Sequence, residues 1–192
     1  DTLKIAYIEI GKGKGEAFRN QLEMYTAITS FSINPESSLD SYDSLLTALD
    51  PYNLVVVGYH AADTRVSKNY GVMSQAANFI FDLSFRKKVI VDIFGNPYTL
   101  NRLLNLPSLG GLIISYDNSS TIQSVSAQMI FGGIGVKGTL PVSPTSVIPI
   151  GSGCQIGERI RLKYSIPEEL GIDSKSLAGV DSIALDAIAK QV

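Results

Sequence analysis

The sequence of 192 residues has one cysteine, one histidine and no tryptophan. A single cysteine excludes a disulfide within the chain, and Cys154 alone cannot assemble a zinc site. With His60 as the sole imidazole, a metal centre built from several histidines is excluded as well. Charge of one sign is also scarce. Sixteen Lys and Arg stand against 18 Asp and Glu, and a formal net charge of -2 gives no electrostatic case for nucleic acid or an anionic membrane. Long apolar runs are missing: Leu54–Val57 and Val89–Val91 are of strand length, far short of the ~20 residues that span a bilayer. Nothing at Asp1 has the basic-then-apolar order of a leader peptide. What remains, 45% hydrophobic and 18% charged residues, is the composition of a folded globular chain.

The hydrophobic spacing alternates between strand and helix. Leu3–Ile10 reads as a strand that runs into glycines, and Glu16–Thr26 as a helix with Phe18, Leu22 and Tyr25 on one stripe. Ile28–Ile33 alternates apolar residues with serine, the pattern of a strand near an edge with one wet face. Ser38–Asp50 is a helix stopped by Pro51, and Leu54–Tyr59 a strand buried on both faces. Gly71–Phe85 reads as a helix, with Arg86, Lys87 and Lys88 at its carboxyl end, where the helix dipole favours cations. Val89–Phe94 is a second buried strand, followed by a turn at Gly95–Pro97 and a short helix at Tyr98–Asn105. Leu112–Tyr116 completes the strands and Thr121–Phe131 the helices of this part. Such alternation predicts an α/β fold, a three-layer α/β/α sandwich on a mostly parallel sheet, flavodoxin-like in character.

The composition shifts at Gly132. Six glycines and three prolines between Gly132 and Gly153 rule out helix or central strand, leaving Thr139–Val142 and Val147–Ile150 as short edge strands or extended arms. Arg159–Ser165 is polar and linker-like, and Asp173 is placed to cap a terminal helix over Lys175–Ala189, with Leu177, Val180, Ala184 and Ile188 on one face. The expected division is 1–153 as one α/β domain and 154–192 as linker and terminal helix.

The chemical motifs are few. Gly11-Lys12-Gly13-Lys14-Gly15 sits between a strand and a helix, where a phosphate could meet backbone N–H groups. Glu16 occupies the last glycine position of a dinucleotide fingerprint, and the Gly-Lys-Ser/Thr of a Walker loop is lacking, so a flexible exposed turn is the favoured reading. His60 follows a central strand at its carboxyl end, the edge where open α/β sheets place ligands. Asp92, Asn96 and Asp117, together with Glu9, belong at or near the same edge. His60, Asp92, Asn96 and Asp117 are therefore the candidates for an interface or ligand edge, with a loop-fixing hydrogen bond as the commoner role of such a histidine. Asp92 lies inside Val-Ile-Val-Asp-Ile-Phe, and a buried carboxylate there needs hydrogen-bonding partners. Ser84-Phe85-Arg86-Lys87 matches a Ser-x-x-Lys nucleophile pattern but lacks its companion motifs, a coincidence of two fixed positions. The sequon Asn118-Ser119-Ser120 carries equally little information. No residue is assigned a catalytic role, and no cofactor or metal is expected.

Several stretches taken in order resemble one family. Val89-Ile90-Val91-Asp92-Ile93-Phe94-Gly95-Asn96-Pro97-Tyr98 is similar to the signature strand and turn in the C-terminal domain of glycoside hydrolase family 3. Ile113-Ile114-Ser115-Tyr116, Gln128-Met129-Ile130-Phe131-Gly132-Gly133, Lys137-Gly138-Thr139-Leu140-Pro141-Val142 and Gly151-Ser152-Gly153 resemble the segments that follow it there. The resemblance covers residues 1 to about 153 and is nearest to the bacterial β-N-acetylglucosaminidase branch. Arg161–Ser174 resembles the lead-in to a class-C-β-lactamase-type serine hydrolase domain.

The family resemblance implies a non-catalytic accessory domain of a larger exported glycosidase, the parent a retaining β-N-acetylhexosaminidase. Retention needs a nucleophile and an acid/base group together at the scissile bond. In this family the nucleophilic Asp lies in a preceding (β/α)8 barrel, so this chain alone is expected to be inactive. The barrel is the implied partner, a serine hydrolase domain a second one, and the periplasm or cell surface the implied location. Two alternatives stay open: an autonomous flavodoxin-like ligand-binding domain using Gly11–Gly15 and His60, and a glucosidase-type domain that donates an acid/base carboxylate.

Overall fold

A computed structural model describes residues 3–11, 13–157 and 161–190. The expectations that involve Asp1, Lys12 and Arg159 lie outside the described residues. The chain divides into two compact units, 1–161 and 162–192.

The first unit is a five-stranded sheet of β1 (Ile5–Ile10), β2 (Thr29–Ile33), β3 (Leu54–Tyr59), β4 (Lys88–Ile93) and β5 (Gly111–Ile114). Its strand order is β2-β1-β3-β4-β5, and every neighbouring pair is parallel. That order defines a flavodoxin-like α/β fold, whose direction of winding reverses between β1 and β3. Three helices connect successive strands, α1 (Glu16–Glu23), α2 (Leu39–Ala48) and α3 (Ser74–Arg86), and α4 (Ser120–Ile130) follows β5.

Alternation along each strand divides the core in two. Ala6, Ile8 and Ile10 of β1, Val55, Val57 and Tyr59 of β3, and Val89, Val91 and Ile93 of β4 pack with Tyr42, Leu45 and Leu46 of α2 and Ala76, Phe79, Ile80 and Leu83 of α3. Ile5, Tyr7 and Val56 pack on the other side with Phe18 and Leu22 of α1 and Ala127 of α4. With helices on both faces, the three central strands are apolar along most of their length, Glu9, Lys88 and Asp92 excepted. β2 is an edge strand, and its outward residues Thr29, Ser30 and Ser32 are exposed. Ser38 caps α2, its hydroxyl accepting from Ser41 N–H at 3.4 Å.

Two connections differ from the sequence reading. The helix expected from Gly71 begins at Ser74, because the preceding loop folds back on the sheet. Tyr59 donates its hydroxyl proton to Gly71 O at 2.8 Å, and Asp63 N–H donates to Tyr70 O at 2.9 Å. Asn69, Tyr70 and Gly71 all take positive φ to make that turn. The segments at Thr139–Val142 and Val147–Ile150 are not strands of the sheet. Pro141, Pro144 and Pro149 lack the N–H a ladder needs. The arm closes on itself instead, Leu140 N–H donating to Ser152 O and Gly151 N–H to Leu140 O, both at 2.8 Å, while Ile148 packs against the α2–α3 side of the core. The short helix expected at Tyr98–Asn105 is a 3₁₀ turn at Pro97–Arg102 and another at Leu106–Ser108.

In the second unit, a 3₁₀ turn at Ser174–Leu177 leads into α5 (Ala178–Ala189), with Asp173 capping the turn by accepting from Lys175 N–H at 3.0 Å. Val180, Ile183, Leu185 and Ile188 of α5 are all exposed.

Phe79, 2% exposed, packs its ring 5.2 Å from Tyr42 and joins α3 to α2. Phe79→Ala is expected to cost about 3–5 kcal/mol, read as a lowered urea midpoint with the circular dichroism of the native state retained.

Candidate functional site

The carboxyl edge at the β1–β3 reversal is where this fold ordinarily receives a ligand. Here a side chain of the chain itself occupies it. His60, one residue past β3, is turned inward and 2% exposed, its backbone N–H held by Ile10 O at 2.9 Å. The imidazole lies flat on Phe94, centroids 4.3 Å apart and planes 10° apart, with Phe18 edge-on at 6.0 Å.

Both ring nitrogens are engaged. Nε2 is 3.0 Å from Tyr7 Oη, and Nδ1 is 2.7 Å from Asn118 Oδ1. With the amide oxygen assigned as acceptor, Nδ1 carries the proton and Tyr7 donates to Nε2. Gln123 extends the network into α1: its Oε1 accepts from Phe18 N–H at 3.1 Å, and its Nε2 lies 2.7–3.0 Å from Lys14 O, Asn118 O and Asn118 Oδ1. Burial is the main influence on the imidazole and pushes its pKa down, against the smaller upward effect of the Asn118 bond. The histidine is therefore held neutral.

Three glycines make the room. A Cβ on Gly58 would stand 2.5 Å from His60 Nε2, one on Gly15 2.6 Å from the same atom, and one on Gly11 3.0 Å from His60 Cβ. The glycine-rich segment thus closes over the imidazole, and Lys14 N–H donates to the buried Glu9 carboxylate at 3.0 Å. Between Gly11, Gly15 and the imidazole no room is left for a phosphate.

Asp92 is fully buried in β4, in register with Gly58 of β3 and Ile113 of β5. Ser115, just past β5, donates its hydroxyl to Asp92 Oδ1 at 2.8 Å, and Ser126 of α4 donates to Oδ2. One carboxylate thus ties β4, the end of β5 and α4 together. Burial pushes its pKa up to about 7, against the downward pull of Ser126 and Ser115.

Asn96 and Asp117 do reach an open surface. They line a cleft of about 510 Å³ beyond the ends of β3, β4 and β5, beside Tyr98, Tyr116, Pro141 and Val142. Asn96 caps the 3₁₀ turn after β4, accepting from Tyr98 N–H at 2.9 Å. Asp117 accepts from Ser119 N–H at 3.3 Å; the Ser119 hydroxyl above all, then the Asn118 and Ser119 N–H groups, hold its carboxyl below the usual range. Between them Tyr116 has φ +59°, a left-handed conformation costing about 1–3 kcal/mol in a bulky residue. Ser115 fixes that turn from inside: its N–H donates to Ile93 O, its carbonyl accepts from Asp117 N–H, and its hydroxyl serves Asp92.

The four sequence candidates therefore separate into two pairs: His60 and Asp92 brace the interior, and Asn96 and Asp117 line the cleft. Sequence reasoning missed Tyr7, Asn118 and Gln123. Gly58 was the signal available, since a glycine inside an otherwise apolar strand marks a close approach. Tyr7, His60 and Asn118 have the order of a nucleophile, its base and an orienting group. The phenol is 1% exposed and its pKa is driven strongly upward, first by burial and then by Glu9, so it is held as a neutral hydrogen-bond donor. Among the described residues, no three His, Cys, Asp or Glu side chains are grouped to hold a metal, and no helix is long and apolar enough to cross a membrane.

Gly58→Ala is expected to cost about 1–3 kcal/mol by overpacking, and less in a His60→Ala background, where the 2.5 Å clash with Nε2 is removed and only the 3.1 Å approach to Tyr7 remains. Urea midpoints of the two single variants and the double variant measure that coupling. The pH responses of the two buried groups run in opposite directions. The unfolded chain gains a proton at His60 as pH falls through about 6.5, whereas the folded chain resists it, so the contribution of neutral His60 declines below that pH. At Asp92 the folded chain holds a proton between about pH 4 and 7 that the unfolded chain has lost, so stability falls as pH rises through that window. Asp92→Asn should remove that second slope, gaining roughly 2–4 kcal/mol on the parent protein between pH 4 and 8 in matched urea titrations.

No protein-family model and no curated protein matches the chain. Among solved structures it is similar to the RcsB response regulator of Salmonella typhimurium, at 14% identity and a TM-score of 0.41 over 68% of this chain and 57% of that one. It is also similar to the lysine decarboxylase LdcF of Francisella novicida, at 12% identity and a TM-score of 0.37 over 68% of this chain and 17% of the enzyme. The matches thus span little more than half the length of the first protein and under a fifth of the second.

Proposed function

We propose that this chain is a non-catalytic α/β accessory domain of a larger exported family 3 glycosidase, packing against the (β/α)8 barrel that holds the catalytic residues. The reading rests on the ordered run of family-like segments from Val89 to Gly153. The observation that carries its non-catalytic part is the sealed reversal point. Tyr7, His60 and Asn118, the arrangement nearest to a catalytic series, are bonded to one another, and the tyrosine and histidine are at most 2% exposed.

The ligand-binding alternative built on Gly11–Gly15 and His60 requires the imidazole and the loop to be free for a ligand, and each is packed against the other. By the same proposal the parent enzyme is a retaining β-N-acetylhexosaminidase, located in the periplasm or at the cell surface. Residues 154–192 are then the linker and terminal helix that lead toward a serine hydrolase domain. α5 accords with this: its exposed Val180, Ile183, Leu185 and Ile188 make it apolar nearly all round, the character of a helix meant for the interior of a larger assembly.

The purified chain is expected to leave 4-nitrophenyl N-acetyl-β-D-glucosaminide intact, and antibody to it to detect a protein several-fold larger in source cells. Turnover above the uncatalysed rate would overturn the non-catalytic assignment. A band at the size of the 192-residue chain would overturn the assignment to a larger enzyme.

A further inference from the structure

The proposal of an accessory domain leaves open which surface meets its partner and what that surface recognises. Two of the helical faces of this unit offer little: α1 directs Glu16, Asn20 and Glu23 to solvent, and α2 directs Asp40, Ser41, Asp43 and Ser44. The cleft beyond β3, β4 and β5 has a different composition. Tyr98 and Tyr116 stand 37% and 49% exposed on it, with Phe94, Pro97, Pro141 and Val142 as its apolar walls. Exposed tyrosine with depleted lysine and glutamate is the composition of an interface core.

Its charge selects among occupants. Among the described residues no lysine or arginine lines the cleft, so no cationic side chain there complements a phosphate or a carboxylate. Its two carboxylates are not equivalent. Asp63 is spoken for by Arg65, whose Nε and Nη2 reach it at 2.9 and 2.6 Å. Asp117 faces no cation among the described residues, holding only the Ser119 hydroxyl and the Asn118 and Ser119 N–H groups of its own loop, and it is exposed. A tyrosine face beside an unpaired carboxylate suits a planar cation, which stacks on the ring and bonds the carboxylate with its edge. The receptor is also held in place. The left-handed Tyr116 is fixed through Ser115 to the buried Asp92, and Tyr98 is stacked on Tyr70 with ring centroids 6.1 Å apart.

We propose that this cleft is the docking surface for the partner domain and that it receives an arginine side chain from a partner loop, with Tyr98 and Tyr116 against the guanidinium and Asp117 as its counter-ion. The inference rests on the reading of this unit as a domain that packs against another.

Amide spectra of the ¹⁵N-labelled full chain, titrated with N-acetyl-arginine amide and with its uncharged analogue N-acetyl-citrulline amide, test it. Saturable shifts at Asn96, Tyr98, Asp117 and Asn118 are expected with the arginine probe, at least fivefold weaker with citrulline. Asp117→Asn should reduce the arginine response to the citrulline level. Tyr116→Asn, which suits the left-handed turn while removing the ring, should weaken it at least threefold. Equal responses to the two probes, shifts that cluster away from the cleft, or no response would overturn the proposal. So would N-acetylglucosamine moving the same amides where arginine does not, which would mark the cleft as a sugar subsite. None of these outcomes bears on whether the chain hydrolyses a glycoside, so the two proposals fail separately.

Discussion

The stacked, doubly bonded imidazole of His60 is the contact on which the carboxyl edge of this fold depends. It is the point where four segments that are far apart in sequence meet: β1 through Tyr7, the glycine loop through Gly11 and Gly15, the end of β4 through Phe94, and the start of α4 through Asn118 and Gln123. A buried polar network of this kind is valuable only when every member is satisfied, since one missing partner leaves a desolvated group unpaired. Here the tautomer that satisfies Tyr7 also satisfies Asn118. The crevice that the parallel fold creates at its reversal point is thereby filled from within, and the ring of loops around it is made rigid.

A second anchor lies one strand over. Asp92 carries no countercharge in its hydrogen-bonding shell, only the hydroxyls of Ser115 and Ser126. It therefore holds the end of β5 and the middle of α4 to β4 at the cost of a raised pKa. Because Ser115 also closes the turn at Tyr116, the interior and the cleft form one mechanical system. The left-handed tyrosine persists because three separate bonds through Ser115 determine its position. The division of labour is plain: one end of the carboxyl edge, at β1 and β3, is spent on internal cohesion, and the other, at β4 and β5, is left for the outside.

Much of this architecture was legible in the sequence. Apolar strands such as Leu54–Tyr59 and the stripes of Phe18–Leu22 and Tyr42–Leu49 follow from periodicity, and β3 begins and ends at the residues its pattern indicates. The edge position of β2 followed from its alternating serines. The left-handed run Asn69–Gly71 was not legible, because it is held by tertiary hydrogen bonds from Tyr59 and Asp63. For the site, the sequence named His60 and Asp92 and placed them at the correct end of their strands. Whether a side chain there turns inward or outward depends on what fills the space beside it, and for His60 that space is set by glycines 2, 45 and 49 positions away along the chain. Periodicity carries no information about such a fit.

The mould formed by Gly11, Gly15 and Gly58 has a consequence for how sequences of this kind can diverge. None of the three positions can acquire a side chain while the imidazole is present, and the imidazole cannot shrink without leaving a hollow beneath Tyr7. Together with Tyr7, the four positions are therefore inherited as a block. Loss of the histidine alone does not release the glycines, since a Cβ on Gly15 would still stand 2.4 Å from Tyr7 Oη and one on Gly58 3.1 Å from it, so the crevice reopens only where Tyr7 and His60 change together.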